Sequence, residues 1–197
     1  MDNEWPNSDS HIGKRDHLHA LGVITTNFNE LELELLFLFT RYAGMEKSVA
    51  QKLWGSLANQ KKRGLILDGV DASEADPIVK DLVVHFLNGF DIAEYNRNFF
   101  AHSLVATPDS DQGHLSFGKG VRHQPDIWSF AHMKLEEIRR IADEISALRM
   151  FGWRINLWLI GRGKIIFGDG HSEEVILPEK RPLPKRLVTV TNSKLVT

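Results

Sequence analysis

Leu21, Phe28, Leu35 and Tyr42 recur every seven residues, and Ile24, Leu31 and Leu38 form a second series three residues further on. Two apolar series at this spacing make one seam along a helix, so a long amphipathic helix is predicted over residues 16–43. Leu33, Leu36, Phe37 and Phe39 widen the stripe. A helix that is apolar on more than one side touches more than one neighbour. Gly44 supplies a stop.

The same periodicity organises the middle of the chain. A second helix is expected over 46–67, with Val49, Leu53, Trp54 and Leu57 on its buried face and Gly64 weakening its end. Residues 71–77 (DASEADP) have the composition of a loop and a helix start. A third helix is expected over 77–101, with Val79, Leu82, Phe86, Phe90, Ala93 and Phe100 as its stripe. Between 104 and 126 the character changes, and Leu115–Phe117 and Val121–His123 around Gly118-Lys119-Gly120 suggest short strands or an ordered loop. Ser129 is placed to cap a fourth helix with Ile138, Ile141, Ile145, Leu148, Ile155 and Leu159 on its seam, where Gly152 permits close approach or a kink.

After Gly161 the pattern fades. Ile165–Phe167 and Val175–Leu177 flank Gly168-Asp169-Gly170 as in a small hairpin. Residues 178–197 hold Lys180, Arg181, Lys185, Arg186 and Lys194 against Glu179, with Pro178, Pro182 and Pro184. They read as an extended basic tail, with a solvated, disordered end as the simpler reading. The expected fold class is all-α: an up-down bundle of four to five helices, with a short β or loop excursion after the third helix and an irregular C-terminal extension. The expected division is a flexible leader at 1–15, a helical domain at 16–160 and the extension at 161–197.

Composition narrows the chemistry. The chain of 197 residues has no cysteine, which excludes disulfides, thiolate zinc sites, iron–sulfur ligation and a thiol nucleophile. Its 24 basic and 26 acidic residues nearly cancel, which argues against a broad basic coat for nucleic acid but leaves room for a local basic cleft. His11, His17 and His19 lie close in sequence, yet no pair has the spacing that sets two ligands on one helix face, and no metal site is expected. The longest apolar run is Leu35–Phe39, far short of the about 20 residues of a spanning helix. Residues 1–10 are polar and acidic. A cytoplasmic soluble protein is expected.

One segment carries candidate chemistry: Arg97-Asn98-Phe99-Phe100-Ala101-His102. On the wheel of the third helix, Arg97 falls about 20° from Phe86, on the apolar stripe. A guanidinium there needs a carboxylate, a phosphate or a water-filled cleft. His102 stands about 140° from Arg97 and about 7.5 Å along the axis. The two converge if the helix ends or bends near Ala101, or if a second copy brings its own pair to the same cleft.

This run resembles the Arg-polar-x-x-x-His signature of HEPN-domain proteins, and the surrounding long amphipathic helices, over about residues 16–160, are similar too. The resemblance implies a helical bundle that dimerises through the motif face and acts as a metal-independent endoribonuclease without cofactors. Toxin–antitoxin, phage-defence and RNA-processing systems use such enzymes, which implies RNA as substrate and an antitoxin or regulatory protein as a second partner. It further implies Arg97 and His102 as catalytic residues, with Asn98 orienting or supporting them. A tyrosine two residues after the histidine marks one toxin subfamily, and here that position is Leu104. The roles are chemically sound: histidine titrates near neutrality and suits a general base, and arginine can grip two phosphate oxygens. Because the net charge is near zero, RNA affinity must come from local groups, either Lys61, Lys62 and Arg63 or the basic tail. Two other readings stand beside it: a non-catalytic helical dimerisation or adaptor module, and a nucleotide-binding bundle with Arg97 as anion anchor.

Overall fold

The computed structural model describes residues 15–109, 114–122, 124–166, 168 and 170–192. Among them are five helices: α1 Arg15–Tyr42, α2 Lys47–Trp54, α3 Asn59–Ser73, α4 Pro77–Ala101 and α5 Leu135–Gly161. They also hold six strands: β1 Leu104–Asp109, β2 His114–Val121, β3 Gln124–Lys134, β4 Lys164–Ile166, β5 Ser172–Glu174 and β6 Val190–Asn192. The all-α expectation is therefore corrected: the fold is mixed α/β, with a four-stranded antiparallel sheet in the order β1-β2-β3-β6 and a two-stranded sheet of β4 and β5. The expected leader falls almost wholly outside the described residues.

Two compact units make up the chain. Among the described residues the first takes those within 15–27, 92–145 and 185–192, and the second those within 28–91 and 146–184. In the first, β2 turns Leu115 and Phe117 into the core and β3 turns in Ala131 and Met133. The Phe117 ring packs against Phe100 and Phe99 of α4, at 5.0 and 6.5 Å between centroids. This contact fastens the sheet to the last turn of that helix. Asn27 of α1 donates its side-chain N–H to the Ala142 carbonyl of α5 at 3.1 Å.

Ser129 does not open a helix: it lies within β3, paired with Lys119 and Thr191. The start of α5 comes six residues later, where Glu137 reaches back to accept the Lys134 N–H at 2.8 Å. That is one half of a capping box, and it leaves Lys134 as the last residue of the strand.

The second unit is helical. Phe28, Leu31, Leu35 and Leu38 of α1 are buried with Phe86 and Phe90 of α4 and Ile155 of α5, as the seams predict. Each such side chain contributes about 1.5–3 kcal/mol relative to exposure. Gly152 serves close approach, since a Cβ there would come within 2.4 Å of the Phe86 ring, and α5 runs on past it. The single helix expected over 46–67 is instead two, α2 and α3, separated at Gly55–Ala58. Val49 and Leu53 are exposed and Ala50 is the buried residue of α2. Trp54 turns toward Phe39, 5.6 Å between ring centroids.

A hairpin does follow Gly161, but its second strand is Ser172–Glu174 and not 175–177: Lys164 lies opposite Glu174 and Ile166 opposite Ser172. The segment after it is tied down rather than solvated. In the second unit Pro178 and Pro184 are buried, Lys180 pairs with Asp81 at 2.5 Å, and the Arg181 carbonyl lies 2.8 Å from His85 Nε2. In the first unit Leu187 is buried and β6 pairs with β3. Among the described residues no helix is long and apolar enough to cross a membrane.

Candidate active site at the end of helix α4

Helix α4 ends at Ala101 because Ser103 closes it. The Ser103 hydroxyl donates to the Phe99 carbonyl at 2.6 Å and its N–H to Phe100 at 3.4 Å. Two residues past His102, Leu104 begins the edge strand β1. His102 is thus held between a helix end and a strand, both anchored on Phe117. Its side chain is exposed and makes no hydrogen bond among the described residues.

Arg97 is half-buried in the same helix. The end of the helix does not bring the two together within one chain. The His102 N–H still donates to the Asn98 carbonyl at 3.2 Å, so His102 keeps its helical position, about 140° round from Arg97. Asn98 is half-buried, and its side chain makes no hydrogen bond among the described residues. Its link to His102 is through the backbone.

Four further side chains contribute in this unit of the chain. Asn96 is 0% exposed, yet both ends of its carboxamide are satisfied by the C-terminal segment. It donates to the Lys185 carbonyl at 2.9 Å and accepts from the Leu187 N–H at 2.8 Å. Glu144 of α5 accepts the Lys185 N–H at 3.0 Å. Between these points Arg186 lies over the Tyr95 ring, 3.9 Å from its centroid, a cation–π arrangement. Tyr95 is seven residues before His102, so the two side chains lie within about 20° on the wheel. The cation on the His102 face of α4 is therefore Arg186. One signal for Asn96 was available: it interrupts the i, i+3 line of Ala93 and Phe99, both buried. Nothing in the sequence linked it to residue 185.

The other basic candidates sit in the second unit, on α3. Lys61 is exposed. Lys62 is buried, its Nζ 3.7 Å from the Trp54 ring centroid and 3.0 Å from Asn59 Oδ1. Arg63 pairs with Asp91 at 2.6 Å.

The strongest electrostatics in that unit surround two buried carboxylates. Glu74 accepts from the Tyr42 hydroxyl at 2.7 Å, from Arg162 NH1 at 3.1 Å on both oxygens, and from the Asp76 N–H at 3.3 Å. Burial pushes its carboxyl up, but these donors outweigh burial and hold it below the ordinary carboxylate range. Burial, then Glu74 itself, pushes the Tyr42 phenol up to about 12. Arg162 is held with φ at +49°, strained for a residue with a side chain. Glu34 differs. Burial raises its carboxyl above the usual range, against the opposing Asn156 amide at 2.7 Å and the Arg149 charge. A groove of about 710 Å³ beside Arg162 is lined by Trp158, Lys164, Ser172 and Glu174. Among the described residues no three His, Asp or Glu side chains gather as metal ligands would.

No family model, curated protein or solved structure matches this chain.

Proposed function

We propose that the end of α4 is a metal-independent, HEPN-type endoribonuclease site, with His102 as general base and acid and Arg97 as phosphate clamp. One observation carries the reading. An exposed imidazole, unengaged by hydrogen bonds among the described residues, is held at an anchored helix end five residues after a half-buried arginine. Neutral His102 takes the proton of a ribose 2′-hydroxyl, and that oxygen attacks the neighbouring phosphorus. The bond to the 5′-oxygen breaks, and the leaving oxygen takes up a proton. The products are a 2′,3′-cyclic phosphate and a 5′-hydroxyl. Arginine stabilises the charge that builds on the phosphate. Because Arg97 and His102 of one chain face about 140° apart, the complete site joins His102 to Arg97 of the partner subunit, with Asn98 in support.

The test is RNA cleavage in EDTA by wild type, His102→Ala, Arg97→Ala and an equal mixture of the two variants. Each single variant is expected to lose about 100-fold or more. The mixture is expected to recover about a quarter of wild-type activity, since one site of each mixed pair is intact. Equal cleavage by wild type and His102→Ala sinks the reading, as does no cleavage of any RNA class.

A second reading, a non-catalytic pairing module, is favoured by a different observation. In the second unit α1 and α5 touch through Glu30 and Arg149, and through Glu34 and Asn156. Leu33 and Phe37 of α1, and Trp153 and Ile160 of α5, flank this line on one side and are all exposed. Exposed apolar side chains gathered on one side are characteristic of protein interfaces.

A further inference from the structure

The four-stranded sheet of the first unit has one packed face and one open face. Along β3, Ala131 and Met133 are buried while His132 and Lys134 are exposed. Register sets Leu104, Gly118, Phe130 and Val190 in one row across the open face, with Gly120 and Trp128 paired in the next. At the ends of the first row Leu104 and Val190 are 67% and 60% exposed. The Trp128 and Phe130 rings stack, 6.4 Å between centroids and 25° between planes. Phe130 lies down on a glycine, for a Cβ on Gly118 would come within 3.0 Å of its ring. The largest apolar groups of β3 thus face outward, opposite to the usual pattern of a sheet with one buried face.

We propose that this open face binds single-stranded RNA, with successive bases stacking on Phe130 and Trp128. The choice of RNA rests on the reading of α4 given above, while the stacking chemistry rests on the sheet alone. Rings that cover glycines steady a sheet, and aliphatic side chains would cover them as well. Flat, nearly parallel π-faces on an open sheet are what unpaired bases stack upon. The surrounding groups suit a polyanion carrying hydrogen-bonding edges. Lys134 is a cation, His132 and Ser116 form a polar pair at 2.7 Å, and the Trp128 indole N–H makes no hydrogen bond among the described residues. The face also leads to the candidate site. Leu104 follows His102 by two residues, and Phe130 lies two strands from Leu104, about 10 Å across the sheet. A strand stacked on the rings that runs off the β1 edge passes His102.

The experiment measures fluorescence anisotropy of a labelled single-stranded RNA of about 12 nucleotides, using His102→Ala protein so that cleavage does not intervene. Saturable binding is expected, a duplex of the same length should not compete, and Trp128→Leu/Phe130→Leu should weaken binding about tenfold or more. The leucines keep the glycines covered, and circular dichroism checks the fold. If that variant unfolds, Trp128→Phe/Phe130→Tyr keeps both π-faces and is expected to bind as the parent does. Absence of binding, unchanged binding by a folded double-leucine variant, or lost binding by a folded Phe/Tyr variant overturns the proposal. Binding that depends on the two rings, without cleavage by the wild-type protein, upholds this face and overturns only the reading of α4.

Discussion

Glu34 and Glu74 are carboxylates buried in the same unit whose surroundings push them in opposite directions. Glu74 is held below the ordinary range, so its ionised form stabilises the fold. That contribution is present above the unfolded value of about 4.3 and is lost as pH falls through the lowered folded value. Glu34 is raised, so ionising it costs stability above its folded value, and the cost fades as pH falls toward about 4.3. The same substitution should therefore have opposite signs at the two sites. At pH 7, Glu74→Gln is expected to lose about 1–3 kcal/mol by weakening the hold on Arg162. Glu34→Gln keeps an acceptor for Asn156 and should gain about 1 kcal/mol. The Glu34 difference should shrink toward pH 4, whereas the Glu74 difference should persist there and fade only at lower pH, through its lowered folded value. Thermal melts at the two pH values read the outcome, and two variants that move the same way would contradict this account.

At the scale of elements, the buried carboxamide of Asn96 is one tie among several on the strap after the β4–β5 hairpin. Asn96→Ala leaves the Lys185 carbonyl and the buried Leu187 N–H without their partner. A loss of about 2–3 kcal/mol is expected, with faster proteolysis after Lys185 and Arg186. Wild-type protection in the variant would show that Glu144, Arg186 and β6 hold the segment without Asn96. The long helices were legible because seven-residue spacing and i, i+3, i+4 stripes state the buried face directly; α4 spans the residues expected of it, Pro77–Ala101. Of the sheet, only the stretch around Leu115–Phe117 was legible as a short strand, and the rest was not for a physical reason. In β3 the small or flexible Ala131 and Met133 face inward and the aromatic Trp128 and Phe130 outward, so hydrophobicity does not report burial. Ser129 then offered a false helix start, whereas the real one depends on Glu137. At the candidate site the Arg97–His102 spacing was readable, but Asn96, Tyr95 and Arg186 meet only through a contact some ninety residues long in sequence.

At the scale of the molecule, a net charge of −2 demands that any RNA contact be local. Pairing of two chains is open to a direct charge test. On α1, Glu30, Phe37 and Arg41 share one side, with the acid and the base about 16 Å apart along the axis. An antiparallel two-fold contact would set Glu30 against Arg41 of the partner subunit, around an apolar centre. On the pairing-module reading, Phe37→Glu is expected to shift a dimer to monomer in sedimentation, and Arg41→Glu to weaken it. A wild-type monomer, or a Phe37→Glu dimer, would rule out pairing through this face.

The order in which the chain is made gives the strap a further meaning. Arg97 and His102 belong to a unit whose fourth strand and whose partners for Asn96 come from residues 185–192. While the ribosome is still short of those residues, Asn96 has no partners and the sheet ends at β3. A chain that cuts RNA would emerge beside its own messenger, and its catalytic unit would stay unfinished until that stretch of the message had been read.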